Sequence, residues 1–204
     1  MRAKSGARTF IENARRAQIL DCAIETIAEL GYARASFAQI AKRAGLSSTG
    51  LISYHFAGKD ELIRQIVIEI HQTMGDFMHR RVSAEQSAAG MLRAYLAGSV
   101  EFIGAHRSRM KALLEIFLNF RPETGGGSYD GNTERNVLSS LEQILHAGQQ
   151  SAEFREFDLR VMATTIQRSI DGLPFALDAD PDLDLKRYAD ELVTIFDLAT
   201  RRSP

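Results

Sequence analysis

Between residues 36 and 59 the chain gathers side chains suited to gripping a polar surface rather than to breaking bonds. Ser36, Ser47, Ser48, Thr49 and Ser53 carry hydroxyls, Tyr54 a phenol, His55 an imidazole and Lys59 an ammonium group, with Gly50 and Leu51 set among them. Hydroxyl, imidazole and ammonium groups hydrogen-bond phosphate oxygens or base edges. Leu51 can touch a thymine methyl, and Gly50 lets the backbone come close. These residues sit on two short helical segments joined at Gly45, a helix-turn-helix layout whose second helix lies in a DNA major groove. Ser36 has a second use, because the N-terminus it caps can hold a phosphate through free N–H groups. The plainer reading of the same residues is a capped surface helix, with His55 packed and bonded to the helix end.

No other chemistry is spelled out along the chain. Gly-rich phosphate loops, a Gly-x-Ser-x-Gly elbow and Cys/His zinc spacing are all missing, so no enzyme, cofactor or metal site is expected. His71 and His79, with Asp76 between them, lie eight residues apart, more than two helical turns and too far to share a metal unaided. Cys22 is the only cysteine, which rules out an intrachain disulfide and reads as a packing residue.

Something must hold the polar segment in place, and composition says what. The chain has 204 residues, 45% hydrophobic, with four prolines and no tryptophan, enough for a substantial all-α core. Net charge is −1 overall, but residues 1–64 carry 10 Lys+Arg against 6 Asp+Glu and the remainder 15 against 20. A basic N-terminal part on an acidic body suits a protein that offers one end to phosphates. No secretory signal and no apolar window of about 18 residues is present, which implies a cytoplasmic protein with no membrane partner.

Residues 1–9 lack periodicity and read as a mobile arm, whose Arg2, Lys4 and Arg8 either reach DNA or stay solvated. Ile19, Leu20, Ala23, Ile24, Ile27 and Leu30 then recur at helical spacing up to a stop at Gly31. Ser36 with Gln39 forms a capping-box pattern opening a helix to Ala44, and Ser47 or Ser48 can cap the next, to about His55. A long helix follows near 60–81. Ser83 and Gln86 suggest a cap for a helix to about Ala105, and another runs through Met110 to Phe120. Residues 121–132, rich in glycine, read as a flexible loop. Helices near 133–150, 158–178 and 184–202 close the chain, the second interrupted by Gly172 and Pro174.

Residues about 15–63 resemble the DNA-binding domain of TetR-type transcriptional regulators. The matching marks are Arg16-Ala17-Gln18-Ile19-Leu20-Asp21-Cys22-Ala23, Ile40-Ala41, Ala44-Gly45-Leu46-Ser47, Gly50, Tyr54-His55-Phe56 and Lys59-Asp60-Glu61-Leu62. Ser53 departs from the pattern, since the family commonly places there an aromatic that meets the DNA backbone. The Gly50–Phe56 variant is similar to a branch that includes choline- and betaine-pathway repressors, and no effector is carried over from it.

The resemblance implies an all-α chain of about nine helices, with a three-helix DNA-binding domain (1–58) and a helical-bundle effector and dimerisation domain (59–204). It implies a repressor released from a palindromic operator by a small molecule. The partners expected are double-stranded operator DNA, a partly apolar effector and a second copy, paired through about 158–178 and 184–202. Met91, Tyr95, Phe102, Met110, Phe117, Phe120, Met162, Ile166 and Phe175 are the pocket candidates, with plain core packing the alternative for each. The rival from another class is a helical small-molecule-binding protein or enzyme whose DNA-binding domain is vestigial.

Overall fold

A computed structural model describes residues 2–121 and 131–202. Among them the chain is all-α, as expected: α1 (Arg2–Leu30), α2 (Phe37–Arg43), α3 (Gly50–His55), α4 (Lys59–Val82), α5 (Ala88–Ala105), α6 (Arg107–Asn119), α7 (Gly131–Gln150), α8 (Leu159–Asp171), α9 (Leu173–Ala179) and α10 (Leu185–Thr200). Helices α8 and α9 are the interrupted helix foreseen at Gly172 and Pro174, and counted as one they bring the total to nine. Most of the glycine-rich loop, residues 122–130, lies outside the described residues.

The chain divides into two compact units. The first gathers Met1–His71 and Ser108–Ser128, the second Gln72–Arg107 and Tyr129–Pro204. In the first, Ile19, Ile24 and Ile27 of α1 bury against Ile40 of α2, Ile52 of α3, Leu62, Ile63 and Ile66 of α4, and Ala112 and Ile116 of α6. Each of these is at most 1% exposed, so the three short helical pieces share one dry core with parts of two long helices. In the second unit α5 is the central helix, packed against α7 and α10, with α8 and α9 beside it. Its Leu92, Leu96, Val100, Phe102 and Ile103 are all buried.

Three local expectations need correction. Helix α1 starts at Arg2, where the sequence suggested an arm. Arg, Ala and Lys are strong helix formers and can extend a formed helix without an apolar face. Ser83 does not cap α5: α4 runs on to Val82, and Ser87 is the N-cap, its Oγ accepting from Gly90 N at 3.0 Å. The later start is secured by Glu153, whose carboxylate accepts from Ala88 N at 3.1 Å and Ala89 N at 3.0 Å. Ser47 and Ser48 do not cap α3 either. Thr49 stands at that N-cap already in helical conformation, its carbonyl accepting from Ile52 N and Ser53 N.

Candidate nucleic-acid interface

The site is built on a pair of helix ends. Ser36 opens α2 in extended conformation and its Oγ accepts from Gln39 N at 3.3 Å, half of the expected capping box; its own N–H donates to Arg34 O. At the other end Gly45 takes φ +64, Leu46 N donates to Ala41 O at 2.9 Å and Gly45 N to Lys42 O at 3.3 Å. This is a Schellman stop, which a left-handed glycine permits without steric cost. Gln18 of α1 adds a side-chain donor to Ala44 O at 3.1 Å. The turn between α2 and α3 is thereby held from both sides.

Helix α3 is anchored by Ile52, which is fully buried, and by Phe56 just beyond it. Arg16 of α1 lays its guanidinium over the Phe56 ring, 4.9 Å from the centroid. Around that anchor Ser47, Ser48, Thr49, Gly50, Leu51, Ser53 and Tyr54 are all exposed. Leu51 and Tyr54 are 39% and 68% exposed, so the helix presents an apolar and an aromatic side chain to solvent beside its hydroxyls. Tyr54 meets His55 edge-on at 5.1 Å, and Ser53 Oγ lies 3.4 Å from Thr49 O. Ser36 is exposed and His55 half-buried. Thus nine of the ten expected contact residues line α3, its approach and the start of α2.

Lys59 is placed differently. Its Nζ donates to Tyr32 O at 3.0 Å and sits 4.3 Å from the centroid of the Tyr32 ring. Burial pulls its pKa below the ordinary lysine value, against the opposing pull of neighbouring Asp60. Tyr32 in turn gives its N–H to Glu115 of α6 at 3.1 Å. Sequence reasoning missed Tyr32, Glu115 and Gln18, since partners 26 to 83 residues away leave no local pattern.

The nine pocket candidates are split between the units. Met91, Tyr95, Phe102, Met162, Ile166 and Phe175 belong to the second unit, Met110, Phe117 and Phe120 to the first. Phe120 is part of the first unit's core, while Phe117 and Phe175 are exposed. Tyr95 is buried with its hydroxyl donating to Gln167 Oε1 at 3.0 Å, and Gln167 Nε2 donates to Asp171 at 2.7 Å. Burial is the main reason the Tyr95 hydroxyl is held far above the usual phenol range. Phe102 is fully buried between Phe77 and a stacked His106.

Residues 19–66 match the family model described as bacterial regulatory proteins, tetR family. The HTH-type transcriptional regulator BetI of Escherichia coli is 35% identical over 133 residues, covering 64% of this chain and 68% of that protein. Among solved structures, the transcriptional regulator FadR of Bacillus subtilis in complex with stearoyl-CoA aligns with a TM-score of 0.73 at 23% identity, over 88% of this chain and 96% of FadR. SmeT, the repressor of the Stenotrophomonas maltophilia multidrug efflux pump SmeDEF, aligns with a TM-score of 0.72 at 24% identity, over 92% of this chain and 91% of SmeT. Matched by family model, sequence and fold, and with its polar helix turned outward on an apolar anchor, the chain belongs to the TetR family of transcriptional regulators.

Proposed function

We propose that this protein is a dimeric repressor whose two α3 helices read the halves of a near-palindromic operator and that a small molecule releases it. The observation that carries the reading is α3 itself, with its apolar grip on the core concentrated in Ile52 and its polar face, Leu51 and Tyr54 left to solvent. Ser36, Ser47, Ser48, Thr49, Gly50, Leu51, Ser53, Tyr54 and His55 supply the direct contacts, and Lys59 a phosphate contact. One such helix reads only a few base pairs, so specificity needs two, with half-sites about 34 Å apart or a multiple of that. We take 1–58 as the DNA-reading part and 59–204 as the part that binds effector and partner, with α4 the continuous connection.

Support for dimerisation comes from the last helices. Helix α10 carries two apolar faces: Leu192 and Phe196 turn inward, whereas Ile195 and Leu198 are 53% and 54% exposed. Val161 on α8 and Phe175 on α9 are exposed as well. FadR, seen with stearoyl-CoA, illustrates an apolar effector class for this fold, and the half-buried Met91 and Met162 suit one here.

The test starts from a duplex that the protein enriches from a random library. Mobility shift should be sequence-specific and weaken steeply with salt. Compounds that raise the melting temperature should lose affinity when operator saturates the protein, by the same factor that they weaken DNA binding. Absence of any selected sequence would favour the vestigial-domain reading, and a monomer by light scattering would remove the two-helix readout.

A further inference from the structure

Tyr32 lies in the turn between α1 and α2, and both polar ends of its backbone are taken. Its N–H donates to Glu115 Oε2 at 3.1 Å and its carbonyl accepts from Lys59 Nζ at 3.0 Å. The ring adds a second hold on the ammonium, 4.3 Å from the centroid, and itself packs 6.1 Å from Phe120. Gly31, at φ +80, is the residue that lets the chain turn here, and a Cβ on it would stand 3.2 Å from the Glu115 carboxylate. Carboxylate, turn and ammonium therefore form one continuous series from α6 to the first residue of α4. All of them lie in the first unit.

We propose that Glu115 is a positioning residue for DNA binding, acting through the Tyr32 turn to hold Lys59 where a phosphate meets it. An ammonium has three donors and no acceptor. One donor goes to the Tyr32 carbonyl, the ring face takes another, and the third is left for a phosphate oxygen. A lysine on its four-carbon stem loses substantial rotamer freedom when fixed, and here the turn has already fixed it before DNA arrives. Without the Glu115 carboxylate the Tyr32 N–H loses its acceptor, the turn loosens, and the ordering cost moves to the binding step. The inference rests on the reading of Lys59 as a phosphate contact.

A double-variant cycle on the full chain tests both layers, using the duplex enriched by the native protein as probe. Lys59→Met should weaken binding and reduce the slope of log K against log salt by about 1.8 for the two sites of a dimer. Glu115→Leu should weaken binding by about tenfold in the native background. In the Lys59→Met background it should cost no more than about twofold, the scatter within which such cycles are read, whereas independent sites would keep the tenfold loss. Glu115→Gln, which keeps an acceptor for the Tyr32 N–H, should bind like the native protein. Glu115→Ala is carried through the same cycle, so that a folding failure of the leucine variant leaves the question decided. An undiminished loss in the Lys59→Met background, or a glutamine variant as weak as the leucine one, overturns the positioning role. Native affinity and slope for Lys59→Met overturn the phosphate contact itself, and the inference with it.

Discussion

Arg109 Nη2 and Asp21 Oδ1 lie 2.7 Å apart although 88 residues separate them in sequence, and the other guanidinium nitrogen, Nη1, meets Glu69 Oε1 at the same distance. One arginine of α6 thus ties α1 to α4 within the first unit. Of the two carboxylates Glu69 matters more, being 32% exposed against 59% for Asp21, where water screens the pair. Arg109→Leu should therefore lower the unfolding free energy by about 2 kcal/mol, most of it from the Glu69 arm. Urea denaturation checks this, and Arg109→Leu with Glu69→Gln should recover part of the loss. Unchanged stability in the single variant would show that the pairing contributes nothing.

The recognition helix can be tested without touching the core. Thr49→Asp with Leu51→Asp places carboxylates on two exposed positions, which the proposed DNA contact would set against phosphates and base edges across a poorly screened gap. Operator affinity should fall by at least about 100-fold, since each lost base contact is worth about 1–3 kcal/mol in each half-site. Circular dichroism and the melting temperature should stay native. Ile52→Asp, by contrast, buries an unpaired charge at a fully buried site and should unfold the first unit. Tight binding by the first variant with native helicity would disprove the assignment of α3.

Acid should weaken the second unit through Glu153. Backbone donation from Ala89, then Ala88, together with the Ser151 hydroxyl, holds its carboxyl below the ordinary carboxylate range. A depressed folded pKa means that the stabilisation is complete above the unfolded value, about 4.3, and is lost as pH falls through the lower folded one. Glu153→Gln should cost about 1 kcal/mol at neutral pH, the scale of a helix cap. The gap between native and variant proteins should close in that acid window, and a gap that stays constant from neutral pH into it would remove the charged cap from the account.

Gly148 on α7 has the Phe154 ring where a β-carbon would go. Gly148→Ala should destabilise the protein by about 1–3 kcal/mol, the usual range for overpacking. Phe154→Ala should cost about 3–5 kcal/mol, because Phe154 is 4% exposed. The two changes compete for one space, so the double variant should lose less than their sum. Strict additivity in thermal unfolding would show that the ring moves aside freely.

Signals carried within a few residues were the legible ones. Ser36 beside Gln39, Gly45 after Ala44, and Gly172 with Pro174 each declare a cap, a turn or a break by local chemistry, and the helices end there. Ser83 misled because the start of α5 is decided by Glu153, arriving from the turn after α7. Thr49 displaced the two serines because it already had helical backbone geometry, which a list of capping residues does not reveal. Lys59 could be named as a charged residue near the site, but not the Tyr32 carbonyl that holds it. The pocket candidates shared a composition, and composition does not say that Phe120 serves one core and Ile166 another.

Ile52 is the one buried residue of the six in α3. If α3 reads base edges as proposed, the fold fully buries a single position of that segment, while the exposed neighbours Gly50, Leu51, Ser53 and Tyr54 are free to answer to DNA. Drift at those neighbours can rewrite the preferred site step by step, each intermediate still a stable protein. Duplicated copies could part company in target before they part company in structure, and a library randomised at Ser48, Thr49, Leu51 and Ser53 offers the same freedom to an engineer.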